Sequence, residues 1–358
     1  MTKKEFGRLI AFVLVVCVML ICLSDLFELD NSKNYDRRFT TFRGLAENTL
    51  DAVWIGTSGV DRYWVAAQAY EDYGMTVYPL AVDEMPTWLF TNMLDEIYTY
   101  QNPKFVIVDA RAFGQSNTDE SRLDARGRRV IDAMELMSVN RFKTALKTMQ
   151  VMSEHFDESY KWDPSYLLPY IKHHAKWSED SYTLDKNWGN KEHLYMGYYM
   201  DDDLTPDAEE QEPLVYDPNA YEPLDPLAEE TLYELLNYAE EKDIELLFVD
   251  TPQFKSEKEM GRANALYQIL DQEGANYINF CETDEWGYFV NGLDLDPQND
   301  FYNDGHVNFY GAQKFTDVMA AYLAENYDME DHREDPAVQE DWDGILDKIF
   351  AKVEKWEK

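Results

Sequence analysis

The sequence predicts an α/β body, a three-layer α/β/α sandwich around a mainly parallel sheet. Three observations predict it. Apolar runs of strand length alternate with amphipathic stretches of helix length; the runs are nearly continuous in apolar residues, as in strands covered on both faces; and the alternation resumes after a long interruption in mid-chain. With 358 residues, 45% of them apolar, the chain can fill one large core.

The first strand is expected at 52–56 (AVWIG), followed by a helix over 62–73 that Gly74 closes. A second strand follows at 76–82. Residues 87–100 carry Phe90, Met93, Leu94 and Ile97 at i, i+3, i+4 and i+7, so a helix is expected there, ended by Asn102 and Pro103. The third strand is 104–110 (KFVIVDA). From 113 to 225 the alternation lapses into an aromatic-rich insertion, with helices expected near 128–137 and 141–155. Asp225 and Pro226 then form an N-cap and first-turn pair for a helix with Leu232, Leu235, Leu236 and Ala239 on one face. A strand at 244–250, a helix burying Met260, Ala263, Leu266, Tyr267 and Leu270, and a fifth strand at 277–280 follow. A last helix starts near Asn308, and residues 328–358 read as an acidic tail with one helix over 342–356.

At the other end, Lys3, Lys4 and Arg8 precede the uncharged run 9–23, which with its edges reaches the roughly 20 residues that span a bilayer. The basic flank predicts a cytoplasmic N-terminus and an extracytoplasmic body, and the residues after the run suit an uncleaved anchor over 9–27 better than a cleaved signal. Residues 28–48 read as a short stalk. Beyond the run the sequence holds one cysteine, Cys281, so no disulfide framework forms within one copy of the body.

Thirty-two Lys and Arg stand against 70 Asp and Glu, a net charge of −38, which repels nucleic acid and excludes it as a partner. No cofactor is expected. His173 and His174 lack ligand partners at metal spacing, and Asp201, Asp202, Asp203, Glu209, Glu210 and Glu212 lack the spaced ligands and turn glycine of a calcium loop, so they read as a solvated loop.

Ligands of such sheets bind beyond the C-terminal strand ends. Two segments fall there: Gly56, Thr57, Ser58 and Gly59 after the first strand, and Asn303, Asp304, Gly305, His306 and Asn308 before the last helix. A serine nucleophile needs an adjacent base, and the base needs an orienting partner. Ser58, His306 and Asp304 supply those residue types. Arg62 and Arg111 are the basic residues nearest the expected strand ends, candidates to clamp an anionic substrate or to form surface ion pairs.

The pieces AVWIGTSGV, KFVIVDAR, IELLFVDTP and DFYNDGHVNFYGAQKFT resemble the SGNH or GDSL-like hydrolase superfamily, over about 50–111 and 226–326. The resemblance is closest to membrane-anchored bacterial members related to teichoic-acid D-alanylation and polysaccharide O-acetylation proteins. It implies that Ser58 is the nucleophile and His306 the base of a cell-envelope esterase or O-acyltransferase. The implied substrate is an acylated glycan or surface polymer, and the implied partner a membrane protein that exports acyl groups. The sequence departs from the pattern at three places. Asn303 stands where the superfamily has Asp three before its His, Asp304 lying two before; Gly59 stands where relatives of this branch often carry His; and the oxyanion Gly and Gly-x-Asn are missing after the second and third strands. The missing donors also fit a second reading, a non-catalytic binding or assembly factor of a surface acylation system.

Overall fold

The computed structural model describes residues 1–26, 35–115, 118–178, 195–200, 215–303 and 305–357. Five strands, β1 (Ala52–Gly56), β2 (Val77–Ala81), β3 (Phe105–Asp109), β4 (Leu246–Asp250) and β5 (Asn276–Asn279), form one sheet in the order β2-β1-β3-β4-β5. Every neighbouring pair is parallel. The first four are buried along their whole length, which is why their sequences are unbroken apolar runs. The register aligns Gly56 with Ala81 and Asp250 with Asn279, so the C-terminal ends make one rim.

Each strand lies within two residues of its expected bounds; the helices depart more. The helix expected over 62–73 spans only Ala66–Tyr73 (α2), ending at Gly74 in the left-handed conformation, and a separate short helix, α1 (Ser58–Asp61), precedes it. A 3-10 turn, Thr87–Leu89, precedes α3 (Phe90–Tyr100). In the insertion, α4 (Glu120–Ala133) starts eight residues before its expected place because Asp119 caps it, and α5 (Val139–His155) follows under a Ser138 cap. The two pack a satellite core of Ile131, Ala145, Met149 and Tyr166. The acidic stretch holding Asp201 to Glu212 lies outside the described residues. Asp225 caps α6 (Pro226–Lys242) as expected, Ser256 and Glu259 form a capping box on α7 (Glu257–Glu273), and Asn308 caps α8 (Phe309–Asn326).

Two expectations are corrected. Within the supposed stalk, Tyr35–Gly44 is a helix whose Phe39 and Phe42 are fully buried in the main core. Its Arg38 is also buried, paired with Asp61 at 2.8 Å and donating to the carbonyls of Gly197 and Ala81. The supposed acidic tail holds the helix expected over 342–356, as Ile345–Trp356, and a further one, Pro336–Trp342, and the two place Val338, Trp342 and Ile349 in the same core. Trp342 packs 5.5 Å from the Tyr70 ring, whose hydroxyl donates to Asp343. Charge on the outer face of these helices hid an inner face that only tertiary contact reveals.

The N-terminal run forms a 24-residue helix, Lys3–Leu26, with Phe12, Leu14 and Met19 more than half exposed. Among the described residues no helix is long and apolar enough to cross a membrane. The side chains of Ile21 and of residues 24–26 lie outside the described set. Cys281 is buried, donates to the Thr251 carbonyl at 3.0 Å, and has its thiol pushed up by burial, which leaves it inert.

Trp342→Ala is expected to cost roughly 3–5 kcal/mol, read as a lowered urea midpoint; an unchanged midpoint would mean that the C-terminal helices are not part of the core.

Candidate active site

Gly56 ends β1 with φ +154°, and a Cβ there would stand 2.1 Å from Asp109 Cβ. Glycine alone lets the ends of β1 and β3 approach this closely. The fully buried Asp109 carboxylate uses that proximity: Oδ2 accepts from Thr57 N–H at 2.9 Å and from the Thr57 hydroxyl, while Oδ1 accepts from Arg111 N–H. Burial raises the Asp109 pKa, against the lowering effect of the Thr57 hydrogen bonds and the Arg111 charge. Thr57 caps α1, which sets Ser58 at the first helical position with its side chain at the rim.

The second half of the site is a small hairpin, β6 (Phe301–Asn303) and β7 (His306–Val307), in which Asn303 pairs with His306. Residues paired across antiparallel strands hold their side chains side by side, and His306 Nδ1 lies 3.0 Å from Asn303 Oδ1. The hairpin is fixed from three directions. Arg111 Nη1 donates to the Gly305 carbonyl at 2.6 Å, the Tyr63 hydroxyl reaches the same carbonyl at 3.0 Å, and the Asn308 side chain donates to the Asn299 carbonyl at 2.7 Å. Burial raises the Tyr63 pKa and keeps its phenol neutral. Thr316 of α8 accepts from Val65 N–H and donates to the Tyr63 carbonyl, tying the first and last parts of the chain together beneath the site.

These contacts bring Ser58 Oγ to 2.8 Å from His306 Nε2, across 248 residues of sequence. The protonation pattern follows from one backbone group. Gly305 N–H can only donate, and it points at Asn303 Oδ1 from 2.9 Å, so that atom is the amide oxygen. His306 Nδ1 must then be the protonated nitrogen. In the neutral ring Nε2 carries a lone pair, and it accepts from the Ser58 hydroxyl. This is the tautomer a general base requires.

Ser58 and His306 therefore meet as the sequence predicts. Asp304 lies outside the described residues, and the orienting contact is made by Asn303. The hairpin register is the reason: the residue opposite His306 is three before it. The sequence marks Asn303 as a departure three before His306, but the expectation falls on Asp304 because an amide lacks the charge normally sought beside a histidine that serves as a base. Of the two arginines, Arg111 packs its Cδ 3.1 Å from where a Gly59 Cβ would stand, so Gly59 makes room for it beside Ser58. Arg62 lies 4.5 Å over the Tyr199 ring in a small recess lined also by Tyr302 and Val307. Among the described residues no group of three or more His, Cys, Asp or Glu is arranged to hold a metal ion.

No family model and no curated protein matches the sequence. A solved structure described as a lipolytic protein of the G-D-S-L family, from Desulfitobacterium hafniense DCB-2, is similar at 8% identity and a TM-score of 0.36, covering 76% of this chain and 98% of its own.

Two outcomes are expected here. On the catalytic reading proposed below, Asn303→Ala should lower turnover of p-nitrophenyl acetate by about a hundredfold or more, since an unoriented imidazole loses most of its value as a base, whereas Asn303→Asp, which keeps both acceptor contacts and adds charge, should match or exceed the parent. Asp109→Ala should cost roughly 1–3 kcal/mol for each buried donor it strands, measured by chemical unfolding.

Proposed function

We propose that the protein is a serine-dependent ester hydrolase or O-acyltransferase of the cell envelope, acting on an acylated glycan or surface polymer. The observation that carries the reading is the 2.8 Å approach of Ser58 Oγ to His306 Nε2, with the ring held in the proton-accepting tautomer. In the proposed reaction His306 takes the Ser58 proton while Oγ attacks the acyl carbonyl. The tetrahedral intermediate expels the alcohol, which receives the proton from His306, and leaves an acyl-serine. Water, or a hydroxyl of an acceptor, then gives its proton to His306 and attacks the acyl carbon, and as the acyl–Oγ bond breaks His306 returns that proton to Ser58 Oγ. Ser58 N–H, at a helix start where amides lack intrahelical acceptors, is one donor for the intermediate's oxyanion.

The N-terminal helix is proposed to be the membrane anchor of this enzyme, with Lys3, Lys4 and Arg8 on the cytoplasmic side and the body outside. Its exposed Phe12, Leu14 and Met19 are suited to lipid. An acyl-exporting membrane protein is the partner this placement suits. The neutral Asn303 favours a second reading, a binding factor of a surface acylation system, because an amide gives no charge to steady the imidazolium.

A fluorophosphonate probe tests the first reading. Labelling of the parent that vanishes in Ser58→Ala and falls sharply in His306→Ala is expected; absence of labelling together with absence of esterase activity would leave the binding factor. The anchor is tested by carbonate washing: the full chain should stay with the membrane pellet and a chain lacking residues 1–26 should be released. Release of the full chain would remove the anchor.

A further inference from the structure

We propose that a cavity beside the Ser58–His306 pair is a subsite for an anionic group, a carboxylate or a phosphate, gripped by Arg111 and Arg262. That the ligand is the substrate of Ser58 rests on the ester chemistry proposed above; the anion site itself rests on the geometry that follows.

The cavity measures about 450 Å³ and lies past the C-terminal ends of β2, β3 and β4, with Glu84, Ala110, Asp250 and Gln253 in its walls. That volume falls in the range of small-molecule sites. Five basic side chains line it against four carboxylates, a reversal of the balance in a chain of net charge −38. The carboxylates are engaged. Glu84 holds Arg122 and Arg126, Asp250 holds Lys255 at 3.0 Å, Asp119 caps α4, and Glu259 closes the capping box of α7.

Two guanidinium groups are left over. Arg111 donates to the Gly305 carbonyl and Arg262 to the Gly114 carbonyl, and among the described residues neither is in an ion pair. Asp109, the nearest carboxylate along the chain from Arg111, is committed to Thr57 and to the Arg111 backbone. Arg262 Nε is also buried without a hydrogen-bond partner. A buried N–H left unmatched is costly, and a turn of the Arg262 side chain toward the cavity would let a planar oxyanion meet its guanidinium fork through two parallel hydrogen bonds.

Arg111 links this site to the reacting atoms. It packs against Gly59, next to Ser58, and its Nη2 lies 3.0 Å from where a Gly305 Cβ would stand, next to His306. An anion held on its cavity side therefore sets the remainder of the same molecule at the nucleophile.

The test uses the full chain in detergent with Ser58→Ala, so that nothing turns over, and calorimetric titration with glucuronate, inorganic phosphate and glucose. One of the anions should bind at least about tenfold more tightly than glucose, and binding should weaken as salt is added. Tighter glucuronate points to a carboxylated glycan, tighter phosphate to a phosphodiester polymer. Arg262→Gln should weaken the anion about tenfold or more, with Arg262→Lys between it and the parent. Anions binding no better than glucose, or a folded Arg262→Gln binding them as the parent does, would overturn the site. Should Arg262→Gln fail to fold, Arg262→Lys and the anion-to-glucose ratio decide the matter. Fluorophosphonate labelling without anion selectivity removes the subsite and keeps the ester chemistry; selectivity without labelling does the opposite.

Discussion

The geometry of the rim depends on one buried carboxylate. Asp109, at the end of β3, receives the Thr57 amide, the Thr57 hydroxyl and the Arg111 amide, and so joins the turn that carries Ser58 to the segment that carries Arg111. The contact is possible because Gly56 has no Cβ to strike Asp109. Burying a carboxylate disfavours its charged form, and three donors in fixed positions offset that penalty only in part, so its pKa stays raised. The fold thus commits a titratable group to holding two loops in register.

From that support the arrangement propagates outward. Arg111 crosses from β3 to the Gly305 carbonyl, and Gly305 N–H in turn selects which end of the Asn303 amide faces His306. A chain of single-direction donors therefore determines where the imidazole proton resides, without an acidic side chain in the contact. An amide can orient the ring as well as a carboxylate does. It contributes less when the ring becomes charged, which sets this site apart from serine triads completed by Asp.

The sheet was legible because its first four strands are buried along their whole length and so wrote themselves into the sequence as apolar runs, while the more exposed edge strand β5 showed through its place in the alternation. Caps were legible where side-chain chemistry is local, as with Asp225 and Asn308. The helix at Tyr35–Gly44 was not, because it is rich in Arg and Thr and is retained by Phe39, Phe42 and the Arg38–Asp61 pair, all contacts to distant segments. The helix Pro336–Trp342 escaped for the same reason, whereas Ile345–Trp356 lies within the helix expected over 342–356. In the site, Ser58 and His306 stood out because their residue types suit the chemistry and their places in the α/β alternation suit the rim. Asn303 was visible only as a departure three before His306, its contact being set by hairpin register, and Arg262 owes its part to a contact spanning 148 residues, which no local pattern shows.

The Arg38 anchorage has a mechanical corollary. This side chain grips the Ala81 carbonyl, at the same end of the sheet as the serine, and its helix begins at Tyr35, while the N-terminal helix ends at Leu26. The few residues between can stretch no farther than about 30 Å. With the first helix in a bilayer, as proposed, the body would be on a short leash. The rim would then stay within a thin layer above the lipid, so tether length, as much as the chemistry of the site, would limit what reaches Ser58.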